Sequence, residues 1–225
     1  MRVEIKQISK EYKEKQVLNN VSFDIESGTV CGLLGINGAG KSTLMKILIG
    51  MVSADSGRIL INGRVDSSPK FGALIEAPAI YPNLSAFDNL KTKALLYGIT
   101  DLKIRETLEV VGLSDTGKKK AKDFSLGMKQ RLGVGMAILT DPEFLILDEP
   151  TNGLDPDGII ELLGLVQNLK SRGVTILISS HQLYEISKIS DQIVILNNGE
   201  IHYDHPNSKE MNIEQLFFTI VHGGI

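Results

Sequence analysis

"GINGAGKST", residues 35–43, stands between the apolar run "TVCGLL" (29–34) and a stretch with helical spacing at 41–50. It fits GxxxxGK[ST] with Gly35, Gly40, Lys41 and Ser42, in the strand-before, helix-after context that gives the pattern its meaning. Glycines let successive backbone N–H groups curl around phosphate oxygens, and the helix start adds its positive dipole end. On this reading Gly35, Asn37, Gly38, Ala39, Gly40, Lys41, Ser42 and Thr43 form a phosphate cradle. Lys41 reaches the β- and γ-phosphates of a nucleotide such as ATP, and the Ser42 hydroxyl is placed on Mg2+. The plain alternative is a glycine-rich strand-to-helix turn with a chance lysine.

A partner for the metal follows in "EFLILDEP" (143–150). Four apolar residues carry Asp148 to the C-terminal end of a buried strand, the edge where open α/β sheets bind ligands. Asp148 is placed to hold Mg2+ through its water shell. Glu149 comes next, where a carboxylate can polarise an attacking water. An acidic pair that merely caps the loop before Pro150 would give the same local sequence.

Around these motifs, residues 2–8 and 17–25 read as strands of an N-terminal sheet, with a turn at 14–16. Strands are also expected at 29–34, 58–61, 71–75, 143–148, 174–180 and 192–196, and helices at 41–50, 157–172 and 208–220. From about 77 to 140 the apolar spacing is helical between β-rich flanks. The expected fold is α/β: a phosphate-loop NTPase with a mixed sheet core, an N-terminal antiparallel β part and a helical subdomain. Residues 1–225 are expected to form a single domain, with the helical part at about 77–140 inserted in the α/β core.

The chain has 225 residues, 42% hydrophobic and 23% charged, and a net charge of −3, so no global basic field draws it to nucleic acid. One cysteine, Cys31, excludes a disulfide framework and suits a reducing cytoplasm. The start "MRVEIKQISK" alternates like a strand and lacks an apolar signal region. No window approaches the roughly 18 apolar residues that span a bilayer, so a membrane role is expected to come through a partner. "GKKKAK" (117–122) reads as a solvated face and "MNIEQLFFTIVHGGI" (211–225) as a helix packed on its own domain.

"FSLGMKQR" (124–131) reads as a helix start, Ser125 then Gly127, with donors pointing outward and no acidic partner nearby. By itself it is an ordinary serine N-cap. In order, "GINGAGKST", "FSLGMKQR", "LILDEPTNGLDP" and "ISSH" resemble the ABC (ATP-binding cassette) transporter ATPases over essentially the whole chain. The resemblance implies an ATP-hydrolysing subunit that forms a head-to-tail homodimer on ATP binding and drives a separate transmembrane permease. Such a chain lies on the inner face of the cell membrane without spanning it and binds no nucleic acid. It implies that the signature segment of one subunit closes over ATP on the other, with Ser125 and the Gly127 N–H aimed at the γ-phosphate. Against the family's usual Leu-Ser-Gly-Gly-Gln, Phe124, Leu126 and Met128 replace the first, third and fifth residues. The resemblance also makes Tyr12 the residue that stacks on adenine, Asp155 part of the loop crossing the dimer interface, and His181 the switch histidine on the γ-phosphate. Tyr12 as strand surface and His181 as a plain strand-end residue are the bland alternatives.

Glu76, in "GALIEAP", departs from the family, where most relatives place a glutamine that touches Mg2+ and the attacking water. Glutamate keeps the acceptor and adds a charge. With "PAIYPNLSAFDNL" it resembles the subgroup linked to lantibiotic self-protection and bacitracin resistance. Export of such a peptide is therefore expected, with a sensing or other non-transport role as the alternative. A GTPase would show an Asn-Lys-x-Asp base-reading motif, which is absent. DNA-repair relatives would carry a long coiled coil before the signature, and translation-type relatives a second cassette.

Overall fold

The computed structural model describes residues 1–65, 70–208 and 212–223. Two strands, β1 (Val3–Tyr12) and β2 (Lys15–Ile25), alternate buried and outward residues, with Val3, Ile5, Ile8, Leu18, Val21, Phe23 and Ile25 turned inward. They pair antiparallel, and β4 (Ser56–Ile61) joins the other edge of β1, giving the order β2-β1-β4. The turn between β1 and β2 lies at Lys13 and Glu14, both with positive φ, rather than at 14–16. A two-residue loop of that hand follows the right-handed twist of its strands, so both strands run longer than their apolar residues suggest.

The second sheet has the order β5-β6-β7-β3-β8-β9. Its strands are β3 (Val30–Leu34), β5 (Phe71–Leu74), β6 (Phe144–Leu147), β7 (Thr175–Ser180), β8 (Gln192–Asn197) and β9 (Glu200–Pro206). All neighbours are parallel except β8 and β9. Strands β3, β6 and β7 are buried throughout, as continuous apolar runs require when both faces are covered.

Alternation along β3 sorts its side chains between two cores. Cys31 and Leu33 join Val3, Ile5 and Phe23 of the antiparallel sheet, together with Leu44 and Met45 of α1 (Lys41–Leu48), which is wedged between the sheets. Val30 and Leu34 join the opposite core, built with α2 (Ala86–Tyr97), α3 (Asp101–Val110), α4 (Leu126–Ile138), α5 (Pro156–Ser171) and α6 (Leu183–Ile189). Each fully buried aliphatic side chain here contributes roughly 1.5–3 kcal/mol. Cys31 is fully buried with its thiol pKa raised by desolvation, so it serves packing.

Two elements, α6 and β9, do not show in the apolar pattern. The first is short, and the second carries "HYDH" at a sheet edge. The expected helix at 208–220 is α7 (Ile213–His222), capped by Asn212; residues 209–211 lie outside the described residues. Among the described residues, no helix is long and apolar enough to cross a membrane.

The later part of the loop from β5 to α2 is held by a buried side chain of α2. Asn89 is fully buried; its Oδ1 accepts from the Tyr81 N–H at 2.7 Å, and its Nδ2 donates to the carbonyls of Ser85 at 2.9 Å and Tyr81 at 3.1 Å. Removing it leaves the part-buried N–H and carbonyl of Tyr81 without this partner, at about 1–3 kcal/mol each. Asn89→Ala is expected to cost about 2–4 kcal/mol and to lower Tm by roughly 5–10 °C. A calorimetric Tm unchanged by the substitution would show that Asn89 does not hold this loop.

Candidate active site at the C-terminal edge of the parallel sheet

Because β3, β5, β6 and β7 run parallel, the residues that follow them emerge on one edge: Gly35, Glu76, Asp148 and His181. The loop after β3 turns into α1 through Gly38 (φ 85) and Gly40 (φ 110). A Cβ at Gly40 would lie 2.7 Å from Leu18 Cδ2 and 2.8 Å from the Val17 carbonyl, so both conformation and space require glycine there. Helix α1 begins without a side-chain cap and without an acidic residue in its first turn. Its leading N–H groups are therefore left to an anion.

The side chain of Lys41 is buried and crosses this loop. Its Nζ donates to the Gly35 carbonyl at 2.7 Å and the Ile36 carbonyl at 3.3 Å, and lies 3.2 Å from Glu149 Oε1. That oxygen has no aligned hydrogen bond, so the contact with Lys41 is one of charge. The other oxygen, Oε2, is 2.6 Å from His181 Nδ1. Lys41, Glu149 and His181 thus form one chain of contacts. Glu149 holds a left-handed backbone (φ 48), uncommon for a residue with a side chain and the kind of local strain that collects at functional sites.

Sequence reading missed Ser179. Fully buried on β7, its hydroxyl donates to Asp148 Oδ1 at 2.6 Å and accepts from the Glu149 N–H at 2.9 Å. One side chain therefore sets the rotamer of the first acid and the backbone of the second. The available signal was a hydroxyl inside the apolar run "TILIS", since a polar group in a doubly covered strand must find a partner.

Asp148 is only 3% exposed, and Ser42 stands in the first turn of α1. These are hard oxygen donors, of the kind Mg2+ takes. Among the described residues no group of three or more His, Cys, Asp or Glu could cage a metal alone. That fits Mg2+, which is commonly held by one or two protein oxygens plus substrate phosphates. Glu76 has a cation partner of its own. Its carboxylate is 67% exposed and ion-paired with Lys46 Nζ at 2.6 Å. Tyr12 ends β1 with a half-exposed ring, and the Lys10 ammonium lies 5.2 Å from the ring centroid. Asn37 is exposed on the loop, Ala39 is buried beneath it, and Thr43 is half-buried on α1.

The remaining predicted residues lie together in a different cleft. Ser125, Gly127 and Asp155 line it with Leu126, Met128 and Gly158, and it contains no residue of the phosphate loop. Ser125 Oγ caps α4 by accepting from the Met128 N–H at 3.2 Å, and Asp155 Oδ1 caps α5 by accepting from the Gly158 N–H at 2.9 Å. Phe124 is buried and Met128 packs against the core, so these two departures from the usual signature serve packing. Leu126 is exposed in the cleft.

Comparison with known proteins agrees with this architecture. Residues 18–152 match the family model described as ABC transporter. The chain is 45% identical over 218 residues to the lantibiotic transport ATP-binding protein SrtF of Streptococcus pyogenes, covering 96% of this chain and 95% of that protein. It is 41% identical over 225 residues to the bacitracin transport ATP-binding protein BcrA of Bacillus licheniformis, covering 95% of this chain and 73% of the relative. A solved ATP binding subunit of an ABC transporter superposes with a TM-score of 0.79 at 33% identity, covering 92% of this chain and 90% of its own.

The double role of Ser179 gives a test. Ser179→Ala leaves the buried Asp148 without its donor and the Glu149 N–H without its acceptor, a loss of about 2–4 kcal/mol. ATP hydrolysis is expected to fall at least ~30-fold in kcat with little change in KM, and Ser179→Thr to recover part of it. Equal kcat in wild type and Ser179→Ala would remove Ser179 from the site.

Proposed function

This chain belongs to the ABC transporter family as an ATP-binding, ATP-hydrolysing subunit, and on that premise we propose that it powers export of a peptide antibiotic. The cargo is of the lantibiotic or bacitracin type and crosses the membrane through a separate permease, which keeps this subunit on the inner face. The observation that carries the reading is the near-full-length likeness to a lantibiotic transport ATP-binding protein, together with glutamate at position 76. Residues 1–225 act as one ATPase domain, with the helical part at about 77–140 inserted in it.

The geometry supports a role for each residue. Backbone N–H groups of residues 35–43 cradle the phosphates, and the Tyr12 ring stacks on adenine. Ser42 and Asp148 would hold Mg2+, with Glu76 as a further carboxylate ligand; when bound, the metal would neutralise charge on the nucleotide's phosphates. The ammonium of Lys41 faces Glu149. Phosphate oxygens compete for it, and when Lys41 turns to them the Glu149 carboxylate is freed to polarise the attacking water. His181, already on the other oxygen of Glu149, orients that carboxylate and contacts the γ-phosphate.

Ser125 and Gly127 share no cleft with Lys41 in one chain. A second copy facing head to tail brings its signature helix to the γ-phosphate, with Asp155 on the loop crossing the interface. The capped start of α4 then points its dipole at the charge lost on hydrolysis.

Co-expression with the permease in a peptide-sensitive host tests the reading. The wild-type chain is expected to raise the tolerated concentration of a lantibiotic or bacitracin several-fold. Lys41→Ala is expected to abolish that protection while ATPase activity drops at least ~100-fold, or ~2.7 kcal/mol in barrier. Protection that survives Lys41→Ala would contradict ATP-driven export, and a wild type that protects against neither peptide would contradict the cargo.

A further inference from the structure

Glu76 engages Lys46, a residue with no part in the site so far. Ser42 and Lys46 are four residues apart on α1, so they lie on one face, one 5.4 Å turn from each other. Lys46 thus ties the Glu76 carboxylate to the face of α1 that carries Ser42, the hydroxyl read as a metal ligand. Among the described residues, the Lys46 pair is the polar side-chain tie on loop residues 75–80. On either side the chain is fixed, by the Leu74 carbonyl accepting from the Asp148 N–H at 2.8 Å and by Asn89 on Tyr81. Glu76 itself has a left-handed backbone, φ 65.

We propose that Lys46 is a positioning residue for Glu76: its ammonium holds the carboxylate on the α1 face beside Ser42 and competes with Mg2+ for it. This rests on the reading of Ser42 and Asp148 as the Mg2+–ATP site. Two cations then bid for one carboxylate, an arrangement open to glutamate and closed to the uncharged glutamine usual in the family. Exposure decides that this hold is reversible. Glu76 is two-thirds exposed, and ion pairs in such settings are weak enough to exchange. Carboxylate oxygen is also a donor Mg2+ favours. The pKa of Lys46 is raised first by the hydrogen bond to Glu76, with Asp148 adding to it, while the same hydrogen bond lowers the Glu76 carboxyl. The loop thus has two positions, set by which cation holds Glu76, and the change from one to the other reports nucleotide state to whatever touches the loop.

The test titrates Mg2+ into the purified chain with bound ATP by calorimetry, and follows hydrogen exchange of residues 75–80 in EDTA without nucleotide. Lys46→Gln is expected to tighten apparent Mg2+ affinity about two- to fivefold, the range an exposed ion pair allows. Lys46→Arg should match wild type, and Lys46→Gln should add nothing in a Glu76→Gln background. Exchange of the loop should quicken in Lys46→Gln and Glu76→Gln but not in Lys46→Arg. The same gain in the Glu76→Gln background would overturn the proposal, because any nearby positive charge would then do. Unchanged affinity or unchanged exchange in Lys46→Gln would overturn it too. Wild type binding ATP equally with and without Mg2+ would instead overturn the metal-site reading beneath it.

Discussion

The parallel register of β3, β5, β6 and β7 is the constraint on which the site depends. Parallel strands end on a common edge, so residues far apart in sequence reach one place only if each strand is buried in its proper order. Continuous apolar runs secure that burial. The edge then collects a glycine turn, two acids, a histidine and a loop glutamate. What the sheet cannot supply is fine placement, and three polar contacts do that: Ser179 on Asp148 and Glu149, His181 on Glu149, and Lys41 on Glu149. The Ser179 and Lys41 contacts are buried or partly buried, where charge and hydrogen bonding act strongly, while the His181 contact is exposed.

The same edge explains why Lys41 is both anchor and switch. Its ammonium is buried and held by two carbonyls and a carboxylate, so it is never left uncompensated. A phosphate anion can replace the carboxylate without loss of compensation. In the proposed mechanism, phosphate binding and release of the Glu149 carboxylate are then one event. In a separate cleft α4 and α5 begin side by side, each capped by its own side chain. One chain therefore keeps the phosphate loop and the start of α4 in separate places, the arrangement on which the proposed dimer rests.

Much of this was legible in the sequence. The phosphate loop, the acids after "FLIL" and the buried strands were visible because each depends on a local pattern: glycine spacing, or an unbroken apolar run. Assignment of Tyr12, Asp155 and His181 depended on resemblance to a family, since a lone tyrosine or histidine carries no pattern. The Asn198–Gly199 turn, both residues at positive φ, was a readable hairpin signal for β9 that the polar strand after it obscured. Ser179, Asn89 and Lys46 were hidden for a different reason. Their partners are distant in sequence and meet only once the sheet and the helices have packed. A lysine on an exposed helix turn, or an asparagine inside one, announces nothing until the structure shows what it touches.

The central claim is that the phosphate loop of one chain works with the signature helix of another. Mixing two defective chains measures it directly. Lys41→Ala spoils only the phosphate loop. Gly127→Asp spoils only the signature; a Cβ there meets its nearest neighbours at 3.9 Å, so the chain should still fold, but a carboxylate now faces the γ-phosphate. Each variant alone should be inactive. Random pairing in a two-fold dimer makes half the dimers mixed, each with one intact composite site, so an equimolar mixture should recover about a quarter of wild-type ATPase activity. A mixture no more active than its components would contradict the account.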